Sequence, residues 1–482
     1  MIRKPIYSLF ISLLILSSCQ DWLDLRPPDG LVQDEYWKTK EDVRATLMGA
    51  YQQLAQMDEL LFQYGEVRAD MIERDDNTPN FIRDIMDGNI YPDNELCDWS
   101  GFYKTINFCN FVLHYNPLIY EMDPTYSEIQ KQGIEAEALF LRSLSYFYLV
   151  RIFKDVPFAT EPTISDSVNV YLPATKDVEI LAAIKVDLNK AKEIVSDDYG
   201  SLENNLGRAN KNAINALLAD ICLWNFEYEE CITYIEEIEN SLVNLVPSSQ
   251  WYSIFYPGNT IEGIFEVEFN ESLDQGNNLY NITYTQDNYT ASQTAVELLS
   301  RETAKEITRG EGSYRPTDFK IWKYCGSSND AQSVRPSSER SSGNWIIYRY
   351  AEILLMKAEA LSQLGEYDQA IEYLNRIRAR AIMELKSAPD NNQAFEDLIL
   401  EERAKELAFE GKRWFDLLRM GRRNNFARKD KLISIIVQNV PSNKRLVLVS
   451  KLSNPLGWYL PVSDAELERN KELDQNPYYA GY

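Results

Sequence analysis

The side chains that most often carry out enzymatic chemistry are unevenly represented in this sequence. His114 is its single histidine, which argues against both a Ser-His-Asp triad and a metal site built from several histidines. Acidic residues, by contrast, number 74. A glycoside hydrolase needs two carboxyl groups about 5–9.5 Å apart across a cleft, but the sequence singles out no such pair. We therefore predict no catalytic residue, no metal ligand and no cofactor-binding residue.

The cysteine nearest the N-terminus suggests a different kind of chemistry. Arg3 and Lys4 precede an apolar run from Ile6 to Leu16, and Cys19 follows with Leu-x-x-Cys spacing. The run is too short to span a bilayer, which takes about 20 apolar residues, but it suits the core of a signal peptide. The motif resembles a bacterial lipobox, so we predict that residues 1–18 are removed and that acyl chains on Cys19 anchor the protein to a membrane. An ordinary secretory peptide that happens to carry a cysteine is the alternative.

Five cysteines remain after the proposed lipidation site, which is an odd number and cannot form a complete disulfide framework. Cys97 could pair with Cys109 and Cys222 with Cys231, or all could be buried free thiols, which is the expected arrangement; Cys325 is the fifth.

A formal net charge of −25 argues against binding to nucleic acid, because an acidic surface repels phosphate.

Helical periodicity dominates the chain outside one segment. Apolar residues recur three and four positions apart, which predicts amphipathic helices, and Thr39 with Asp42 could form a capping box. Residues 251–345 differ, since an alternating run, Ile264–Phe269, precedes a stretch rich in Gly, Asn, Ser and Tyr. We predict an irregular insertion of loops and short strands at about 250–345. The helices are predicted at about 39–57, 102–115, 134–153, 177–195, 208–225, 229–240, 346–364, 367–383 and 393–420.

Two segments match the tetratricopeptide repeat. Residues 350–377 carry its small residues and its Gly-x-Tyr-x-x-Ala-Ile pattern, and a similar pattern lies 139 residues earlier. Small residues let two helices approach closely, so the pattern predicts helical hairpins stacked into a scaffold at about 39–240 and 346–420. Plain helical hairpins with chance matches are the alternative.

Acids and bases also alternate along residues 401–419, which indicates a solvated face or a helix-packing network rather than catalysis.

Five landmarks occur in order along the chain and together resemble one family. They are Cys-x-Asp-Trp-Leu-Asp-Leu at 19–25; Glu-Ala-Leu-Phe-Leu-Arg at 137–142 with Tyr-Phe-Tyr-Leu-Val-Arg at 146–151 and Asp-Val-Pro at 155–157; Tyr-Arg-Tyr-Ala-Glu-Ile at 348–353; Glu402-Arg403 through Leu417; and Leu-Pro at 460–461 with Glu-Leu-Glu-Arg-Asn at 466–470 and Gln-Asn-Pro at 475–477. Over nearly the whole chain they resemble the SusD/RagB family of glycan-capturing outer-membrane lipoproteins.

This resemblance implies both a fold and a role. The fold would be mainly α, a tetratricopeptide-like scaffold of helical hairpins with the irregular insertion packed on it, and residues 19–482 would form a single unit. The protein would be lipid-anchored at the outer membrane and exposed at the cell surface, although orientation towards the periplasm is the alternative. It would bind an oligosaccharide without catalysis and pass it to a SusC-like TonB-dependent transporter.

The ligand-binding residues do not follow from the landmarks, so they are predicted from the chemistry of sugars. A sugar ring presents an apolar face with a rim of hydroxyls, which calls for flat aromatic platforms beside amide or carboxylate groups. Three loop segments combine these types, at 75–83, 94–99 and 280–289, joined by 322–324. The predicted stacking residues are Trp99 and Trp322, with hydrogen bonds from Asp76, Asn77 and Arg83, and further contacts from Tyr284, Tyr289 and Tyr324.

Two other functions remain open on the sequence. A tetratricopeptide scaffold on a lipoprotein could bind peptides or protein partners for import, and a two-carboxylate glycosidase would need an acid pair that the sequence does not identify. The net charge of −25 slightly favours a neutral glycan over an acidic one, unless a basic residue such as Arg83 compensates locally.

Overall fold

The computed structural model describes residues 36–164, 169–300, 309–310 and 312–481. The predicted signal peptide and Cys19 lie outside these residues, so the lipobox stays a prediction. The predicted extent of the single unit, 19–482, is likewise not decided by the fold. No helix among the described residues is both long and apolar enough to cross a membrane.

Helices form most of the described structure and confirm the prediction of a mainly α fold. The helices of the described residues are α1 Lys40–Ala55, α2 Asp58–Glu66, α3 Asn80–Met86, α4 Ser100–Met122, α5 Glu128–Phe153, α6 Asp177–Ile194, α7 Leu202–Gly207, α8 Lys211–Trp224, α9 Tyr228–Glu239, α10 Gln293–Ser300, α11 Tyr350–Gln363, α12 Tyr367–Arg380, α13 Asn392–Glu406, α14 Arg413–Phe426, α15 Lys429–Val437, α16 Ser442–Leu452 and α17 Asp464–Arg469. Packing between helices forms a continuous series: α1 packs with α4, α4 with α5, α5 with α6, α6 with α8, α8 with α9, α9 with α11 and α11 with α12.

Local sequence explains where several helices begin and turn. The capping box of Thr39 and Asp42 is present at the start of α1, and Ser127 caps α5 by accepting from the backbone N–H of Gln130. The hairpin of α11 and α12 turns at Gly365, whose φ of 84° lies in the left-handed region that favours glycine. The tetratricopeptide-like spacing therefore corresponds to a real helical hairpin.

Two predicted helices are wrong in part, and both differences have a tertiary cause. The helix predicted at 393–420 is broken at residues 407–412, where Gly411 has a φ of 71° and its N–H donates to the buried Glu66 Oε1 at 2.8 Å. The first residues of the helix predicted at 346–364 form a strand, because they pair with the alternating run of the insertion.

In the part of the chain that the structure describes, three antiparallel two-stranded sheets tie loops to the helices. The pairs are β1 Ile72–Arg74 with β5 Tyr289–Ala291, β2 Val156–Pro157 with β3 Ala174–Thr175, and β4 Gly263–Val267 with β6 Trp345–Arg349. The insertion also has a small hydrophobic core of its own. It contains Val246, Trp251, Tyr252, Ile254, Phe255, Tyr280, Trp322, Cys325 and Ile346.

The alternating charges of residues 401–419 form a buried packing network, not a solvated face. Arg349 donates to Glu406 Oε1 at 2.8 Å and also to Glu410. Arg309 of the insertion donates to Glu402 at 2.6 Å and to Glu406 at 3.0 Å. Arginine forks of this kind match carboxylates in geometry, so the network joins the insertion to α13 through fully buried ion pairs. The five described cysteines are buried free thiols.

Candidate functional site

Two of the predicted ligand-binding segments do lie against each other. Pairing of β1 with β5 places Arg74 opposite Tyr289, so the loop after β1 meets the loop before β5. The side chain of Asn77 donates to the carbonyl of Gln286 at 2.8 Å, and the hydroxyl of Thr78 donates to the carbonyl of Asn288 at 2.5 Å. Residues 75–78 and 284–289 therefore form one surface, which we call the Asn77 loop cluster.

Most polar groups of the Asn77 loop cluster hold the loops together instead of facing a ligand. Arg83 donates to the carbonyls of Thr78, Asp75 and Asp76 at 2.8, 2.9 and 2.6 Å. The ring of Tyr284 is half-buried, with the Arg315 guanidinium 5.3 Å and the Lys320 ammonium 4.6 Å from its centroid. Only Asp76 and Asn77 among these predicted residues are exposed.

Three of the predicted ligand-binding residues, Trp322, Tyr289 and Tyr324, are buried in the protein core. Trp322 is fully buried in the core of the insertion, where its indole N–H donates to the carbonyl of Ser328 at 2.6 Å. Tyr324 stacks on Trp345 at 5.9 Å, and its hydroxyl donates to the carbonyl of Phe409. Tyr289 is fully buried beside Phe62. Each ring faces a partner that is distant in sequence, so no face is left for a sugar.

Trp99 lies apart from the Asn77 loop cluster, at the edge of a cleft of about 640 Å³. The cleft, which we call the Trp99 cleft, lies between the first turns of α4, the chain after β2 and the chain around α17. Trp99 itself is only 3% exposed and packs edge-on against Tyr103 at 5.6 Å and Phe153 at 5.3 Å. Trp99 therefore supports the ring of Tyr103, which lines the cleft, and its own ring is not open to a ligand.

Asparagine side chains fix the wall of the Trp99 cleft. Asn110 donates to the carbonyls of Ala159 and Glu161 at 3.1 and 3.3 Å, and its own oxygen accepts from Arg142 at 2.9 Å. One turn earlier, Asn107 accepts from both the N–H and the hydroxyl of Thr163, each at 3.1 Å. Because α4 is a rigid helix, these bonds hold the chain after β2 at a fixed distance from it.

Three aromatic side chains line the cleft beyond Trp99, and none of them was predicted. Tyr171 is 49% exposed, whereas Tyr103 and Phe158 are half-buried. The Tyr103 hydroxyl donates to the carbonyl of Pro157 at 2.7 Å, and burial raises the pKa of that phenol, so it stays protonated at neutral pH. On the opposite side, Asn470 holds the segment that carries Tyr171 by donating to the carbonyl of Leu172 at 2.8 Å.

The charged groups at the cleft rim are few and of both signs. Lys104 is exposed on α4, and Arg469 pairs with Glu466 within α17. The cleft therefore combines ring faces with amide and hydroxyl groups in a volume typical of sites for small ligands. Phe158 and Tyr171 lie in the Pro- and Thr-rich chain that follows a buried helix. Aromatic residues in such a chain were the signal in the sequence that could have identified this cleft.

Among the described residues, one group of side chains outside the cleft has the spacing of a metal site. Cys222, Glu227 and Glu230 bring their ligand atoms within 4.8 Å of one another. The Lys185 ammonium donates to Glu227 at 2.5 Å and to Glu230 at 2.7 Å. Because the ammonium of Lys185 already binds both carboxylates, we read this group as an ion-paired cluster.

Comparison with models of protein families identifies the family of this chain. A model of the SusD family matches residues 226–479, and a second, described as starch-binding proteins associating with the outer membrane, matches residues 21–223. The first match alone covers more than half of the chain. The chain belongs to the SusD family.

Individual SusD-like proteins agree with this assignment. SusD-like protein P38 of Formosa agariphila is 28% identical over 476 residues, which cover 86% of this chain and 90% of the relative. A SusD-like protein of Bacteroides ovatus is 24% identical over 84% of this chain and 80% of its own length.

Solved structures share the fold of this SusD family member. A SusD superfamily protein of Bacteroides vulgatus aligns with a TM-score of 0.76 and 21% identity over 92% of this chain and 100% of its own. A structure described as a laminarin-binding SusD-like protein aligns with a TM-score of 0.71 and 20% identity over 92% of this chain and 100% of its own. The tetratricopeptide-like scaffold with its insertion is therefore the fold of these proteins.

Proposed function

We propose that this SusD family member is a cell-surface lipoprotein that binds an oligosaccharide or polysaccharide in the Trp99 cleft. Acyl chains on Cys19 would hold it at the outer membrane, and a SusC-like TonB-dependent transporter would receive the glycan from it. No bond of the glycan is broken. The family is one of glycan-binding proteins, and one matching family model is described as starch-binding.

The observation that carries this proposal is the composition of the Trp99 cleft. Tyr171, Tyr103 and Phe158 offer apolar ring surface in a space of about 640 Å³, and Asn107 and Asn110 fix its wall. Aromatic surface beside amides suits a ligand that is apolar on its faces and rich in hydroxyls at its rim. Rim charges of both signs give no strong preference for an anionic ligand.

Binding to purified polysaccharides tests the proposal. Residues 20–482 are expressed without the lipid anchor and titrated by calorimetry with starch, laminarin and a wider panel, with peptides as a separate arm. We expect binding to at least one glycan, and Tyr171→Ala is expected to weaken it about 5–30-fold, since exposed aromatic contacts contribute about 1–2 kcal/mol.

Tyr91→Ala is the matched control, because Tyr91 is 47% exposed but lies outside the cleft. Its affinity for glycan is expected to equal that of the unaltered protein. Equal losses in both variants would show that the cleft is not the site. Binding to peptides with no glycan bound would favour the peptide-import alternative, and release of shortened sugars would show that the protein is an enzyme.

The lipid anchor and the transporter have tests of their own. Labelled palmitate is expected to be incorporated into the full chain and not into Cys19→Ala, which should be recovered outside the membrane fraction. The acylated protein is expected to co-purify with a SusC-like transporter from outer membranes. Co-purification only with periplasmic partners would contradict the surface orientation.

A further inference from the structure

One stretch near the C-terminus has a charge opposite to that of the whole chain. Residues 422–451 contain eight lysine or arginine residues and a single acid, Asp430, although the formal net charge of the chain is −25. The stretch covers the end of α14, the whole of α15 and nearly all of α16. None of these residues lines the Trp99 cleft, so the proposed glycan site does not account for them.

Five of the eight cations are accounted for by contacts within the fold. Arg422 stacks on Trp224, with 4.3 Å from its guanidinium carbon to the ring centroid. Four others form ion pairs with carboxylates, namely Arg423, Arg428, Lys431 and Lys444. The positive charge that is left on the surface of this stretch therefore belongs to three side chains.

These three side chains, Lys429, Arg445 and Lys451, donate only to neutral groups among the described residues. Lys429 donates to the carbonyl of Ser453 at 3.4 Å, just beyond the end of α16. Arg445 donates to the carbonyls of the turn before α16 at 2.7 and 2.9 Å. Lys451 donates to the carbonyl of Gly88 at 2.8 Å. Carbonyl oxygens hold these cations in place without cancelling their charge.

Helix α16 is apolar on both of its sides. Leu448 and Leu452 are buried against the scaffold, whereas Leu446 is 83% exposed and Val447 is 55% exposed. A surface helix of a globular protein normally has polar residues on its outer face. The helix also contains three basic residues and no acidic one. An exposed apolar pair with charged residues around it is typical of a surface that binds a protein or a membrane.

The charges of α16 are not placed to stabilise the helix itself. Its first turn contains Lys444 and Arg445 and no acid, although the partial positive charge at a helix N-terminus favours acids. Near its last turn lie Lys451 and Lys429. The exposed apolar pair thus has cations beyond both of its ends, and a local rule broken in this way points to a role outside the fold.

We propose that α16 docks on the anionic lipid headgroups of the membrane that carries the acyl anchor, through a surface formed by Leu446, Val447, Lys429, Arg445 and Lys451. We call this the α16 surface. Its aliphatic side chains enter the headgroup region and its cations bind lipid phosphates, as in helices that lie at a membrane interface. Leucine and valine lack the flat face on which a sugar ring packs, which favours lipid over an acidic glycan.

The inference rests on the proposed membrane location, and the length of the leader is compatible with it. Seventeen residues separate Cys19 from Tyr36, where the described chain begins. A chain of that length can span up to about 60 Å. An anchored protein also meets the membrane at a high effective concentration, so a weak second contact is sufficient. The α16 surface would then set the orientation of a protein that the acyl chains alone leave free to rotate.

Sedimentation with lipid vesicles tests the α16 surface in residues 20–482, which carry no acyl chain. One set of vesicles contains equal parts of phosphatidylcholine and phosphatidylglycerol, and the other contains phosphatidylcholine alone. We expect binding to the anionic vesicles that is at least about tenfold tighter than binding to the neutral ones. High salt is expected to abolish the difference, because it screens the exposed charges.

Two double variants separate the two components of the surface. Lys429→Gln with Arg445→Gln is expected to weaken binding to anionic vesicles about 25-fold, since each basic residue near such a membrane contributes about fivefold. Leu446→Asn with Val447→Asn is expected to weaken it about tenfold, because it removes apolar side chains that the lipid would cover. All four side chains lie at the surface, and a Tm close to that of the unaltered protein checks the fold.

Each double variant has a matched control elsewhere on the surface. Lys211→Gln with Lys386→Gln also removes two lysines that are exposed, and it changes the net charge by the same amount. Leu242→Asn replaces another exposed leucine, which lies outside α16. Both controls are expected to bind anionic vesicles as the unaltered protein does.

No binding to anionic vesicles, or equal losses in the controls and in the α16 variants, would overturn the proposal. Binding to polygalacturonate but not to vesicles, lost only in the α16 variants, would assign the surface to an acidic glycan instead. Self-association that these variants abolish would assign it to a second copy of the chain. The vesicle result needs neither acylation nor glycan, and the α16 variants are expected to keep their glycan affinity in calorimetry. Failure here is therefore distinguishable from failure of the proposed function.

Discussion

Aromatic residues have opposite fates in the insertion and in the Trp99 cleft. Trp322 and Tyr324 lie in a segment rich in Gly, Asn and Ser, which is typical of exposed loops, yet both are buried. Tyr171 lies in a chain between two helices of the scaffold and is half exposed. The comparison shows that loop composition does not predict whether an aromatic ring is accessible to a ligand.

The physical reason for the difference is what packs behind each loop. The insertion folds back on itself, so Trp251, Tyr252 and Phe255 meet Trp322 in a separate small core. The chain beside Tyr171 is instead held at a distance from the scaffold by amide hydrogen bonds, from Asn110 on one side and Asn470 on the other. Rings in the first region stabilise the fold, and rings in the second are free to contact a ligand.

Trp322→Ala is the strongest test of this contrast. The substitution is expected to lower the free energy of unfolding by about 3–5 kcal/mol, because it removes a fully buried indole and leaves a cavity. Denaturant titration measures this loss. The glycan affinity of the fraction that remains folded is expected to be unchanged, and a specific loss of affinity at full stability would restore Trp322 as a ligand-binding residue.

Asn110→Ala is expected to lower both the stability of the fold and the affinity for glycan, each to a moderate degree. It leaves the Arg142 guanidinium and two loop carbonyls without their buried partner, which costs about 1–3 kcal/mol of stability. The loosened cleft wall is also expected to weaken glycan binding several-fold in calorimetry. Asn215→Ala is the control, since Asn215 is an equally buried asparagine on α8 away from the cleft; it should lose stability without losing affinity.

The attachment of the insertion to the scaffold is expected to depend on pH through Asp58. Its carboxylate accepts from the backbone N–H of Asn278 at 2.7 Å, and burial raises its pKa from 3.8 to about 6. A carboxyl group with a raised pKa binds its proton more tightly in the folded state. Its contribution is therefore complete below pH 4 and is lost as pH rises to about 6.

Asp58→Asn removes this titration while keeping an oxygen that can accept the same bond. Relative to the variant, the unaltered protein is expected to lose about 1–2 kcal/mol between pH 4 and 7, as followed by denaturant titration. Parallel pH profiles for the two proteins would show that Asp58 does not titrate in the folded state.

The smallest effect is expected at the Asn77 loop cluster. Asn77 is exposed and makes one hydrogen bond, to the carbonyl of Gln286. Asn77→Ala is expected to change stability by less than about 0.5 kcal/mol and glycan affinity by less than twofold. A large loss of affinity would place the ligand at this cluster and not in the Trp99 cleft.

Much of the scaffold was predictable from local sequence. Apolar periodicity placed most of the nine predicted helices within a few residues of their observed ends, although it missed shorter helices such as α2, α3 and α17. The capping box at Thr39 and the turn at Gly365 depend on residues close together in the chain. The break between α13 and α14 was not predictable, since Gly411 turns there to meet Glu66, which lies 345 positions earlier. For the charged residues 401–419, the sequence left open whether they form a solvated face or a helix-packing network. It could not decide between the two, because the partners Arg309 and Arg349 come from other elements.

The sequence by itself determined the helical scaffold and the family, because helix periodicity, caps and short landmarks are encoded within a few residues of each other. Only the tertiary structure decided which aromatic rings face solvent and which basic side chains lack an acidic partner. A ring is buried or exposed according to what packs against it, and those partners are distant in the chain: Tyr252 for Trp322, and α17 for the segment of Tyr171.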